Sequence, residues 1–163
     1  MKLHRIKALF IRQIYLLAQS PLRFVNMFFW CVLDVAIWGF VTHYLDTVEG
    51  VNVSFAPALL GAVVLWNFMV RSQQGVILAF FEDVWSRNFL NLFASPLKIR
   101  EYVGSLIFSS IITTIASLAL LLVISALFGY SIFSLGVSLA VFLLILFIFG
   151  VTLGVVAAAI GLR

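Results

Sequence analysis

Cysteine and histidine are almost missing from this chain: Cys31 stands alone, and His4 and His43 are the only imidazoles. One thiol excludes an internal disulfide and a thiolate metal centre. No Ser, Asp and His are spaced to suggest a nucleophilic triad, and no G-x-x-x-x-G-K-[ST] loop is present to cradle a triphosphate. Charge is just as scarce, with Asp, Glu, Lys and Arg making up 10% of the residues. The chain is therefore read as non-enzymatic, with no metal and no cofactor of its own.

What fills the space is apolar. Hydrophobic residues make up 64% of the 163 residues, and the mean hydropathy is +1.22. A soluble domain of this length cannot hide that much apolar surface from water, so the expected solvent is lipid. Apolar runs cover 24–41, 55–81, 103–128 and 132–162. Each reaches or approaches the roughly 20 residues a helix needs to cross a bilayer. Strict alternation over about ten residues, the mark of barrel strands, is absent, and lipid forbids unpaired backbone. The expectation is an all-α polytopic bundle of four spans in a single transmembrane domain. The fourth run, at 31 residues, exceeds the bilayer core and is expected to tilt, break near its glycines or extend beyond it. The first run is long and contains Asp34, so it reads as a retained span rather than a cleaved leader.

The few charges orient these spans. Lys2, Arg5, Lys7, Arg12 and Arg23 precede the first; Arg87, Lys98 and Arg100 lie between the second and third; Arg163 follows the fourth. With four spans, nine of the ten basic residues fall on one side, while the opposite loops, 42–54 and 129–131, have none. The excess of Lys and Arg places both ends and the central loop in the cytoplasm. The net charge of +4 is explained by this asymmetry and by anionic lipid, without nucleic acid.

Residues 1–22 precede the first span. Leu3, Ile6, Phe10, Ile14 and Leu17 recur at helical spacing, with Lys2, Arg5 and Arg12 on another face. That pattern predicts an amphipathic helix in the interface plane, either a simple anchor or a lever touching a cytoplasmic partner. Ser20-Pro21 supplies a cap and a first helical residue for the span that follows.

The segment 82–101 is the one polar block between long apolar runs. Read as a helix over 83–94, it sets Trp85, Phe89 and Leu92 or Phe93 on one stripe, and Asp83, Arg87 and Asn91 on another. The acid precedes the base by four residues, the favourable order for a helix pair. Ser95-Pro96 then looks like the start of the next helix.

The pattern Glu82-x-x-Trp85-x-Arg87-Asn88-x-x-x-Leu92-x-x-Ser95-Pro96-Leu97-x-x-x-Glu101, with the basic amphipathic helix before span one, resembles the permease subunits of type-two ATP-binding-cassette exporters. The resemblance implies a coupling helix between spans two and three that docks on a separate ATPase subunit. Glu82, Arg87 and Asn88 are then the implied polar contacts, and Trp85 and Phe89 the apolar anchors. It also implies ATP and Mg on that partner chain, a second permease chain as homodimer or heterodimer partner, and residence in a bacterial inner (plasma) membrane. Family members usually have six spans, so the expectation is either a fragment covering about the first two-thirds of such a permease or a four-span half-permease.

Polar residues within the spans mark a translocation path or a helix seam: Asp34 in span one, and Asn67, Arg71 and Gln74 at i, i+4 and i+7 in span two. Arg71 is a candidate partner for Asp34, or else a long side chain reaching toward the cytoplasmic interface. Gly150-Val-Thr-Leu-Gly154 is a G-x-x-x-G pattern suited to close helix packing. The alternative readings are a proton-coupled secondary transporter subunit, using Asp34 and Arg71 as a relay, and a non-transporting membrane scaffold.

Overall fold

The computed structural model describes residues 3–19, 21–47, 55–87, 89–94, 97–127 and 136–161. Among the described residues all regular structure is helical: α1 (Leu3–Gln19), α2 (Pro21–Thr47), α3 (Phe55–Trp85), α4 (Phe89–Ala94), α5 (Ile99–Leu127) and α6 (Val137–Ile160). Pro21 stands at the first position of α2, where its missing N–H costs nothing. Ser20 and the Ser95-Pro96 pair lie outside the described residues. Two helices, α5 and α6, are long and apolar enough to cross a membrane.

Helix α3 is the hub, packing on α2, α5 and α6, whereas α5 and α6 scarcely touch each other. Close backbone approach explains this. A Cβ on Gly150 would sit 2.7 Å from the Met69 carbonyl oxygen, and one on Gly154 would sit 2.9 Å from that of Gln73. The G-x-x-x-G pair therefore faces α3 of the same chain, and α6 runs parallel to α3 along Met69, Gln73 and Val76. On the neighbouring face a Cβ on Gly75 would lie 2.8 Å from Ser110 Oγ, and that hydroxyl donates to the Ser72 carbonyl at 2.8 Å. This contact, with Tyr102 meeting Asp83 further along, sets α5 antiparallel to α3. Between the diverging α5 and α6 a cleft of about 450 Å³ remains, floored by Phe68 and walled by Thr114, Leu143 and Phe147.

The interior holds two apolar clusters. Leu9, Val76, Phe80, Tyr102, Leu106 and Val151 join α1, α3, α5 and α6, and Val35, Val64 and Leu121 join α2, α3 and α5. The buried seam of α5 is otherwise small and polar: Ser105, Ser110, Thr114, Ser117 and Ser125. Some of these hydroxyls meet their own preceding turn or a neighbouring helix. Ser117 donates to the Thr113 carbonyl at 2.9 Å, Ser72 to that of Phe68 at 2.9 Å and Ser110 to that of Ser72, which satisfies these three within an apolar bundle. The outer surface is apolar, with Phe29, Trp38, Trp66, Phe108, Ile115 and Leu144 all exposed.

Three sequence expectations change here. The helix read over 83–94 is not one element: α3 runs on to Trp85, the chain turns at Ser86-Arg87, and α4 begins at Phe89. Arg87 adopts φ of 54°, and its N–H donates to the Val84 carbonyl, so a left-handed residue closes α3. Helix α6 is an unbroken 24 residues through both glycines, because Gly150 and Gly154 serve packing rather than a kink. On α1 it is Ile6, Leu9 and Gln13 that turn inward, flanked by the half-buried Arg5 and Arg12, while Ile11, Ile14 and Tyr15 face out.

Candidate coupling site where α1, α3 and α5 meet

Arg5, Leu9 and Arg12 recur at i, i+4 and i+7, so one face of α1 presents a cation, an apolar residue and a second cation in line. Each finds a complement. Leu9 enters the cluster with Val76, Phe80 and Tyr102. Arg12 Nη2 donates to Asp83 Oδ1 at 2.6 Å, and Arg5 Nη1 lies 3.6 Å from Glu101 Oε2. The acids come from the last turn of α3 and the first turn of α5.

Asp83 is wholly buried, and both its oxygens are engaged: Oδ1 by Arg12 and Oδ2 by the Tyr102 hydroxyl at 2.8 Å. An ionised carboxylate without water is tolerable only when paired and hydrogen-bonded, and here a guanidinium and a phenol supply both. Glu101, also buried, accepts from the Lys98 N–H at 3.4 Å, the geometry of a helix-capping glutamate at the start of α5. A carboxylate in that first turn also complements the helix dipole. These contacts pin α1 to the ends of two helices that are joined through α4. They tie three helices together at one corner of the bundle.

Trp85 projects from this corner, 71% exposed and stacked on Phe81 with ring centroids 5.5 Å apart. Phe81 is itself braced, since a Cβ on Gly161 would come within 2.7 Å of its ring. Arg87 is exposed at the left-handed break. Glu82 is half-buried beside Asp83. Asn88 lies outside the described residues; Phe89 opens α4, and its side chain lies outside them as well.

The span residues are distributed differently. Asp34 sits half-buried near the middle of the 27-residue α2, and Arg71 near the middle of the 31-residue α3. No ion pair joins them, and among the described residues no carboxylate lies within 4 Å of Arg71. Arg71 is buried within the bundle, near the middle of a helix that continues to Trp85. Asn67 is buried and bonds the Val63 carbonyl at 3.1 Å; Gln74 accepts from Arg71 Nη1 at 3.1 Å. Among the described residues no three His, Cys, Asp or Glu side chains cluster as a metal site would require.

Sequence reasoning paired Asp83 with Arg87 and missed the pairs that form. The available signal was the two-turn spacing of Arg5 and Arg12 on α1, with an acid at each end of the central block. Comparison with protein-family models, with characterised proteins and with solved structures returns no match.

Proposed function

We propose that this chain is the membrane-spanning permease subunit of an ATP-binding-cassette exporter, with the α3–α4–α5 corner as the part an ATPase subunit pushes. The observation that carries the reading is the buried Arg12–Asp83–Tyr102 cluster directly behind the exposed Trp85 and Arg87. Force applied at Trp85 or Arg87 cannot be absorbed by a loose loop. It passes through Asp83 to α1 and α5 and through Phe81 to the end of α6.

Four spans, α2, α3, α5 and α6, cross the inner membrane in this reading, with α1 lying along its cytoplasmic surface. The antiparallel setting of α5 against α3 and the parallel setting of α6 support that topology, as do the basic residues gathered at one side. The outward Ile11, Ile14 and Tyr15 of α1 suit contact with lipid while its arginines turn to the protein. Two such chains pair, two ATPases bind beneath them, and ATP-driven closure of the ATPases shifts the spans. Coupling requires that the ATPases bind the two permease states with different affinity.

The test is to tag the protein in its own cell, solubilise the membranes gently and identify by mass spectrometry what co-purifies. An ATP-binding-cassette ATPase in stoichiometric amount is the expected result. Its absence under conditions that preserve other membrane complexes sinks the reading.

A further inference from the structure

We propose that Arg71 holds the acidic headgroup, a phosphate or carboxylate, of an amphiphile that approaches along the α3 face past Leu78 and Gln74. This names a substrate class for the permease described above and rests on that reading for the ligand's being cargo.

Arg71 is 5% exposed near the middle of α3, and its Nε is buried with no acceptor. Its one hydrogen bond runs to an uncharged amide, Gln74 Oε1 at 3.1 Å. The carboxylates of Asp83 and Glu101 are committed to Arg12 and Arg5, and Asp34 does not reach it. A cation removed from water needs an anion beside it, and within a membrane bundle such a residue marks a binding position or pathway. A guanidinium presents its N–H groups as a fork matched to two oxygens of one phosphate or carboxylate.

Access is written along the helix. Asn67, Arg71, Gln74 and Leu78 follow spacings of four, three and four, which is one face of α3. Burial falls along that face: Asn67 and Arg71 are buried, Gln74 is half-buried and Leu78 is exposed. A headgroup entering at Leu78 meets the Gln74 amide first and the unused Nε one turn deeper. Its apolar body stays against the outer surface of the bundle, which is apolar there as elsewhere. An amphiphile satisfies both surfaces at once.

The experiment uses the full chain with whatever proteins accompany it. The preparation is placed in nanodiscs holding equal phosphatidylcholine and phosphatidic acid, then released into neutral detergent, and retained lipids are counted by native mass spectrometry. Phosphatidic acid should be retained over phosphatidylcholine by about tenfold, the equivalent of one charge-assisted hydrogen bond. Arg71→Gln should abolish the preference and Arg71→Lys, which keeps the charge without the fork, should reduce it severalfold. Lys7→Gln, on the exposed side of α1, should leave it unchanged. If Arg71→Gln does not fold, the Lys variant carries the comparison. Equal retention of the two lipids, or an undiminished preference in either Arg71 variant, overturns the proposal. Displacement of phosphatidic acid by inorganic phosphate assigns the position to free phosphate and overturns the headgroup. Loss of preference in Lys7→Gln assigns it to surface attraction and overturns it too. The ATPase is scored in the same sample: headgroup preference without an ATPase removes the cargo role and keeps the site, and an ATPase without preference keeps the permease and removes the site.

Discussion

Arg12 and Asp83 stand 71 positions apart and meet at 2.6 Å, with the carboxylate wholly buried and Tyr102 on its second oxygen. This pair ties the N-terminal helix to the end of α3 at the point where the chain turns toward α5. Removing one member leaves a buried charge without its partner, which is a larger loss than the pair's own net worth. Arg12→Ala should lower stability by about 3–5 kcal/mol. Arg12→Ala with Asp83→Asn together should cost less than the sum of the two, because no bare charge remains. Thermal unfolding in nanodiscs measures the cycle, and additivity of the two changes would show that the pair does not couple α1 to α3.

The exposed corner should separate binding from folding. Trp85→Ala removes an aromatic contact worth about 0.5–1.5 kcal/mol beyond its area, so stability should change little. Co-purification of the ATPase should fall sharply. Arg87→Glu should leave insertion and folding intact while uncoupling ATP turnover from transport. Transport that continues at the original rate in Arg87→Glu would remove this corner from the coupling path.

Arg87 also offers a conformational test. Its φ of 54° strains any residue with a Cβ and suits glycine. Arg87→Gly should therefore hold stability or raise it by up to about 1 kcal/mol, while Arg87→Val should lower it by at least as much. If Arg87→Gly keeps stability and still abolishes coupling, the side chain's charge is the functional feature. If coupling survives, the turn alone suffices.

Helix α6 is held by backbone proximity rather than by side-chain size. At Gly154 even one methyl group would stand 2.9 Å from the Gln73 carbonyl and 3.0 Å from Val76 Cβ. Gly150→Leu or Gly154→Leu should force α6 off α3 and cost more than the 1–3 kcal/mol of ordinary overpacking, since a carbonyl cannot rotate aside. Thermal unfolding in nanodiscs measures the loss, and a loss within the ordinary overpacking range would show that this close approach does not hold α6.

Asp34 and Arg71 should behave as strangers. In the absence of an ion pair, Asp34→Asn and Arg71→Gln should add in stability to within about 0.3–0.5 kcal/mol. A coupling well above that would put the two charges in contact during the transport cycle and bring the proton-relay reading forward.

How far the sequence is legible depends on the distance over which its signals act. Apolar runs and their polar breaks are local properties, so the helical class and the presence of two helices long and apolar enough to span, α5 and α6, follow from composition and spacing alone. The stripe of Asn67, Arg71 and Gln74 was likewise visible, because three polar residues on one helix face need no partner to be noticed. Helix ends were less legible: the apolar run stopped at Phe81, but α3 carried on for another turn because Asp83 could be paired at depth. Periodicity cannot report that pairing.

The helical class was thus determined by the sequence itself, because long apolar runs leave a helix as the way to satisfy their backbone groups. Which acid meets which arginine was decided only by tertiary structure. Asp83 had Arg87 four residues away, in the order that favours an exposed helix pair. The left-handed turn at Arg87 ended the helix before that pair could form, and burial then favoured the distant Arg12, whose helix brings Leu9 into the core beside it. A charge pair across 71 positions leaves no trace in local spacing, because its geometry exists only after three helices have packed.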